Sequence, residues 1–268
     1  MKKHIGFIIG NLDGKGGTER VSTMLANCFA EHGYRVSFIS PRSKGNFFFQ
    51  LHKDIHTYCL GKVYDLLQNL RLWKYFYLIV RFLIKWSKID VLIDVDMGTA
   101  MFSSPAIKGT RCKEITWDHF NFTVNASDRA RQKGLAAAFQ TSSKMVLLTK
   151  ADREMYIQNF KDISVSFFEQ IYNPLTFDVD KPVLHSEKRV IAIGRLTPQK
   201  GFDYLLNIWQ KIETKHHDWT LEIVGSGDDE MSLKATVNEK KLKHVVFTPP
   251  TNDIKSKLTA SSIYVLPS

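Results

Sequence analysis

The sequence predicts an α/β fold with parallel sheets, laid out twice along 268 residues. Short apolar runs of strand length alternate with stretches of helical period, the pattern of strands buried on both faces between layers of helices. The alternation restarts after "IYNPLTFDVDKP", residues 171–182, where two prolines and three polar turn residues mark a linker. Glycines stand in the turn after the leading strand of each series, where the chain passes sharply from strand to helix. The reading is of two domains, 1–172 and 173–268.

In the first series Ile5 to Ile9 is a strand, Thr18 to His32 a helix with Thr18 as N-cap, and Arg35 to Ile39 the next strand. Gly33 is placed to end that helix. Strands are expected at Val91 to Val95, Glu114 to Trp117 and Met145 to Leu148, with helices over 126–140 and 150–160. The second series opens with the strand Val190 to Ile193, followed by a helix from Phe202 to Lys215 and a strand from Thr220 to Val224. A helix from Glu230 to Lys241, a strand from Val245 to Thr248, a helix near 253–260 and a strand from Ile263 to Leu266 complete it.

With 44% hydrophobic residues the chain can build a core in each domain. Its net charge of +10, from 37 Lys and Arg against 27 Asp and Glu, favours anionic partners. The three cysteines, Cys28, Cys59 and Cys112, are odd in number and far apart, so neither a disulfide framework nor a zinc site is indicated. In the opening "MKKHIGFIIGNLDG", polar residues and glycines interrupt the apolar run, which reads as a strand rather than a signal peptide. No uncharged apolar run reaches the length of a transmembrane helix. The expected compartment is the cytoplasm, with possible peripheral attachment to the inner face of the cell membrane.

Two loops have the makings of ligand sites. The turn "GNLDGKGGTER" places Gly14, Gly16 and Gly17 before a helix, where backbone N–H groups and the helix field suit an anion. It is neither a Walker loop nor G-x-G-x-x-G, since Glu19 takes the last glycine position, and the second strand ends Ser40-Pro41-Arg42 without a ribose-holding acid. A tight turn without a ligand is the alternative. In "VIAIGRLTPQKGFDYLL", Gly194 and Arg195 follow a strand and Lys200-Gly201 precedes a helix. Both cations would project over the carboxyl end of the second sheet, a fork and a point charge suited to a diphosphate.

In this order, "GGTERVSTMLANCFAEHGYRVSFIS", "YNP", "GRLTPQKG", "VGSGDDEMSLK" and "SSIYVLPS" resemble the retaining glycosyltransferases of family 4 over the whole chain. The resemblance implies a GT-B fold, two Rossmann-like domains facing a cleft. A UDP- or GDP-sugar would be held mainly by the second domain and a glycan or lipid-linked acceptor mainly by the first. It further implies transfer with retention of configuration, no metal or other cofactor, and a place in bacterial surface polysaccharide assembly. Arg195 and Lys200 would bind the donor diphosphate and stabilise the leaving group. Gly16 and Gly17 would present N–H groups across the cleft, and His119, in "ITWDHFNF", matches the family's active-site histidine beside the transferred sugar. Gly225 and Gly227 would shape the nucleotide pocket, with base contacts near Thr248 to Thr251. Asp118 is set aside, because neighbours on an extended segment point to opposite faces.

In the family the segment like "SSIYVLPS" is followed by a loop bearing a pair of glutamates, which does not occur here. The resemblance therefore implies an incomplete second domain of marginal stability and weakened catalysis. The alternative reading is a truncated, non-catalytic remnant that at most binds nucleotide or a partner. No nucleic-acid module is present. One further segment, residues 70–88, "LRLWKYFYLIVRFLIKWSK", reads as a helix. Arg71, Lys74, Arg81, Lys85 and Lys88 form a basic stripe on it, with Trp73, Phe76, Leu83 and Trp86 among the apolar remainder. Such a helix can lie on an anionic membrane surface, or it can pack on the first sheet with its charges in water.

Overall fold

The computed structural model describes residues 2–175, 177 and 187–267. The chain forms two compact units, Met1–Thr176 and Phe177–Ser268. The linker expected at 171–182 lies partly outside the described residues.

The first unit is a parallel sheet of β1 (His4–Ile9), β2 (Arg35–Ser40), β3 (Ile55–Cys59), β4 (Val91–Val95), β5 (Lys113–Trp117), β6 (Ser142–Leu147) and β7 (Phe168–Gln170). Its spatial order is β3-β2-β1-β4-β5-β6-β7. The chain winds outward from β1 to β3, then returns to the other side of β1, so the order reverses between β1 and β4. In open α/β sheets the crevice at the carboxyl ends of such strands is where ligands bind. All six residues of β1 are buried, which accounts for its unbroken apolar run. Ile8 packs on one face with Leu92 and Phe102, while Phe7 and Ile9 pack on the other with Phe38 and Trp117.

Around this sheet lie α1 (Gly17–Glu31), α2 (Gly61–Asn69), α3 (Phe76–Ser87), α4 (Ala100–Ile107), α5 (Phe122–Ser127), α6 (Arg129–Thr141) and α7 (Lys150–Asn159). Helix α1 begins one residue before the expected start and is capped by Gly16, not Thr18. The Gly16 carbonyl accepts the Arg20 N–H at 3.2 Å, and no side chain caps the first N–H groups. Helix α4 meets the sheet through polar groups as well as through Phe102, Ala106 and Ile107. Ser103 and Thr99 donate to the fully buried Asp94 of β4, and Ser104, Thr141 and Ser142 donate to the equally buried Glu114 of β5.

The continuous helix expected over 70–88 is broken. Helix α2 ends with the Leu72 N–H on the Leu67 carbonyl and the Arg71 N–H on that of Gln68, with Arg71 at φ +57°. This paired bonding is a Schellman stop, in which Arg71 holds the left-handed position usually given to glycine. A short 3₁₀ turn, Trp73–Tyr75, precedes α3. Only Arg81 and Lys85 of the five cations lie within α3, and Lys88 caps it. The single basic stripe therefore does not form. Arg81 instead donates to the Ala106 and Lys108 carbonyls at 3.1 and 2.5 Å, tying α3 to the end of α4.

The second unit is a smaller parallel sheet of β8 (Arg189–Ile193), β9 (Thr220–Val224), β10 (Val245–Thr248) and β11 (Ile263–Tyr264), in the order β10-β9-β8-β11. Helices α8 (Phe202–Glu213), α9 (Glu230–Glu239) and α10 (Ile254–Thr259) connect them. Leu206 and Trp209 of α8 close over Ala192 and Ile223. Helix α8 stops two residues before the expected Lys215, and α9 two before Lys241. Strand β11 ends at Tyr264, though the Val265 N–H still donates to the Ile191 carbonyl at 2.9 Å. Glu222, buried on β9, takes Thr248 at 2.7 Å, Lys257 at 2.5 Å and Arg189 at 3.4 Å, joining three elements through one carboxylate.

Candidate active site

In the second unit the candidate site is the carboxyl end of β8 and β9. Gly194 to Gly201 leaves β8, forms a 3₁₀ turn at Pro198–Lys200 and enters α8 with Gly201 as N-cap at φ +63°. Arg195 is exposed and Lys200 half-buried, and neither has an ion pair among the described residues. The first N–H groups of α8 have no side-chain cap. Two cations and an uncapped helix start make a field for an anion carrying more than one charge.

The β9–α9 loop braces this turn through backbone alone. The Gly194 N–H donates to Val224, the Leu196 N–H to Ser226 and the Asp229 N–H to Leu196, at 3.0, 3.0 and 3.1 Å. A Cβ on Gly225 would stand 1.9 Å from the Gly194 oxygen, and one on Gly227 would stand 2.2 Å from the Leu196 oxygen. Both glycines are thus required for loop to meet loop. Thr248 at the end of β10 is committed to Glu222.

In the first unit the site lies where the loops after β1, β4 and β5 meet the switch point. The β1–α1 loop is fixed by Asp13, whose carboxylate accepts Ser43 at 2.5 Å and the N–H groups of Lys44 and Asn46 at 2.6 and 3.0 Å. Burial pushes this carboxyl up, but those bonds outweigh it and hold it below the usual range. Gly17 needs no close packing, since a Cβ there would meet nothing within 4 Å. The space on its Cβ side at the head of α1 is open.

His119 follows β5, its ring 4.3 Å from that of Trp117. Burial pushes it down to about 4, so the imidazole is neutral at physiological pH. Its Nε2 is buried without a hydrogen-bond partner. Such a group is an unspent polar contact. Asp118 is occupied elsewhere, accepting the Tyr156 hydroxyl at 2.9 Å and the Phe120 N–H at 3.1 Å.

Sequence reading missed a second pair. Asp96, at the end of β4, adopts φ +99°, a costly conformation for a residue with a side chain. Its carboxylate takes both guanidinium nitrogens of Arg131 at 2.7 and 3.0 Å, and Arg131 lies 3.7 Å from the centre of the Phe120 ring. The Asp96 N–H donates to the Trp117 carbonyl. This knot joins β4, β5 and α6 on either side of His119. The one available signal was an acid standing just past a buried strand, in "VLIDVDMG". Among the described residues no group of three or more His, Cys, Asp or Glu is placed to hold a metal ion.

Two doubly wound parallel units, each with a glycine-rich turn at its leading strand, define a protein of the GT-B class. Residues 15–179 match the profile described as Glycosyltransferase Family 4, and 187–268 that of Glycosyl transferases group 1. A glycosyltransferase of Haemophilus influenzae, itself uncharacterized, is 38% identical over all of this chain and 74% of its own length. Similar solved structures include the lipopolysaccharide outer core galactosyltransferase WaaB, with TM-score 0.68 and 17% identity over 99% of this chain and 74% of that one. Anabaena Alr3699/HepE in complex with UDP and glucose has TM-score 0.72 and 15% identity over 98% and 74%. The chain belongs to glycosyltransferase family 4.

Proposed function

We propose that the chain transfers a hexose or similar sugar from a UDP- or GDP-sugar to a glycan or lipid-linked acceptor, with retention of configuration, in bacterial surface polysaccharide assembly. The observation behind this reading is the unpaired couple Arg195 and Lys200 beside the uncapped start of α8. As the bond between the anomeric carbon and the diphosphate oxygen lengthens, negative charge grows on the phosphate. The two cations stabilise that charge more in the transition state than in the ground state. Gly225 and Gly227 keep their loop close enough for the turn to hold its shape. Gly16 and Gly17 offer N–H groups to the phosphates or to the acceptor. Neutral His119, whose buried Nε2 has no partner among the described residues, is the candidate contact to a hydroxyl of the transferred sugar once that atom is uncovered; a neutral ring makes such a contact without adding charge beside a carbon that is becoming positive. Charge neutralisation by these side chains asks for no metal. The resemblance to relatives supports the transferase reading, as does the solved complex of Alr3699/HepE with UDP and glucose.

Calorimetric titration of UDP and GDP into the wild type and into Arg195→Ala and Lys200→Ala tests the donor site. Each substitution removes a charge-assisted contact of about 1.5–3 kcal/mol, so affinity should fall at least about tenfold. Neither residue has an ion pair among the described residues, so stability should change by less than about 0.5 kcal/mol. Unaltered nucleotide affinity would overturn the assignment. Binding with no turnover of any nucleotide sugar would keep the donor site and overturn the catalytic reading.

A further inference from the structure

Helix α3 is apolar on two opposite faces. Phe76, Val80, Leu83 and Ile84 are buried in the core shared with β4 and α4. On the other side Leu78, Phe82 and Trp86 recur every fourth residue and so share one stripe. They are 49, 59 and 73% exposed. Phe82 and Trp86 stack at 5.9 Å with 21° between planes, which makes them one aromatic plate rather than scattered side chains. Tyr75 before the helix, and Leu66 and Leu70 around the end of α2, are also exposed.

The surroundings are cationic. Arg71, Lys74, Lys85 and Lys88 lie along this segment, all exposed, and Asp65 is the one acid between Gly61 and Lys88. At 12 residues α3 is too short to cross a bilayer, and no described helix is long and apolar enough to do so.

We propose that the outer face of α3 docks on an anionic lipid bilayer, with Leu78, Phe82 and Trp86 in the interface and the flanking cations against the headgroups. An aromatic stripe edged by lysine and arginine is the makeup of an interfacial helix. A second copy of the chain fits this face less well. A two-fold contact through it would bring the same cations together from both sides. The face differs from the one the sequence suggested, since Phe76 and Leu83 point into the core and Arg81 is spent on α4.

The test is co-sedimentation of the whole chain with vesicles of phosphatidylglycerol and phosphatidylethanolamine, against vesicles of phosphatidylcholine. Binding is expected to the anionic vesicles and to weaken with salt. Phe82→Ser with Trp86→Ser should lower partitioning about tenfold or more, and Lys85→Ser about fivefold. Because a variant can misfold, tryptophan emission of the wild type is compared in parallel with that of Trp86→Phe, and a blue shift on adding anionic vesicles that is reduced in Trp86→Phe is expected. The proposal is overturned if the wild type ignores anionic vesicles, or if the folded double variant binds them equally well. Self-association abolished by the double variant, without vesicle binding, would also overturn it. None of these measurements needs a nucleotide sugar, so failure here leaves the transferase reading standing, and the reverse.

Discussion

Gly227→Ala separates two roles open to the glycines of the second unit, packing a loop and approaching a ligand. The new Cβ would lie 2.2, 2.7 and 2.8 Å from the O, C and N atoms of Leu196, all backbone, so no rotamer change makes room. The β8–α8 loop would have to move. That strains or breaks the bonds from Leu196 N–H to Ser226 and from Asp229 N–H to Leu196, now 3.0 and 3.1 Å. Two such bonds contribute about 1 kcal/mol each and overpacking costs about 1–3 kcal/mol, so the loss is about 3–5 kcal/mol. Against the marginal stability of a small unit this is large. Urea unfolding followed by tryptophan fluorescence, with Trp209 buried in that unit, reads the loss, and a UDP titration runs beside it. The control is Gly17→Ala, whose Cβ meets nothing within 4 Å. It should keep or raise stability, by up to about 1 kcal/mol, while weakening a ligand that approaches that opening. Stability of Gly227→Ala within about 0.5 kcal/mol of wild type would refute the packing argument.

Three further outcomes are expected. Asp94 is pushed well above the usual carboxylate range by burial and then by Glu114, despite bonds from Ser103 and Thr99. A raised folded value means that its contribution is full at acid pH and lost as pH rises through that value. Melting temperature should therefore fall less toward alkaline pH in Asp94→Asn than in wild type, and parallel curves would refute this. His119, pushed down to about 4 by burial, should stay neutral in a histidine NMR titration down to that region. Because its folded value lies below the usual 6.5, stability is lost as pH falls through that interval, and His119→Asn should flatten that part of the profile; a midpoint near 6.5 would overturn both statements. Glu222 is pushed up by burial but held below the usual range by its bonds to Lys257 and Thr248. Glu222→Gln leaves Lys257 without its charge partner and should cost about 3 kcal/mol at neutral pH, less as pH falls through the folded value, measured by denaturant midpoints.

Strand alternation was legible because most positions of a buried parallel strand are apolar, as Ile5 to Ile9 of β1 are, even though His4, Asp94 and Glu114 are buried there with hydrogen-bond partners. Several helix ends, those of α6, α7 and α10, fall within a residue of expectation, but those closed by a left-handed residue other than glycine do not. Gly33 closes α1 with the Tyr34 N–H on the Phe29 carbonyl, and the same stop closes α2, α3 and α9 with Arg71, Lys88 and Lys241 in the left-handed position. A long cation there looks like more helix, which is why 70–88 read as one segment. Helix α4 was hidden by Pro105 and two serines that look like a loop and in fact serve buried carboxylates. Strand β7 is only three residues long, too short to show a period. Within the candidate site, Arg195, Lys200 and the glycine turns were readable because each motif is local. The Asp96–Arg131 pair was not, since its partners lie 35 residues apart and meet only through the fold.

The two units divide the chemistry by charge. The second offers Arg195 and Lys200, without an ion pair among the described residues, at the carboxyl end of β8, where the proposed diphosphate would sit. The first holds the acids and the histidine of its candidate site paired, bonded or neutral. Asp13 is surrounded by donors, Asp96 is paired with Arg131, Asp94 is pushed toward its neutral form and His119 is neutral. Among these groups a hydroxyl can gain hydrogen bonds without an unpaired carboxylate beside it, while Lys15 of the β1–α1 loop and Arg42 after β2 have no ion pair among the described residues. The strained backbone of Asp96 belongs to the same economy. Its carboxylate meets Arg131, and the resulting knot braces β4 against the β5 loop that carries His119, whose buried Nε2 has no hydrogen-bond partner among the described residues. Asp96→Gly would relieve the strain and lose that hold. If acceptor use fell while donor affinity stayed unchanged, the first unit would be the acceptor side on grounds of electrostatics as well as ancestry.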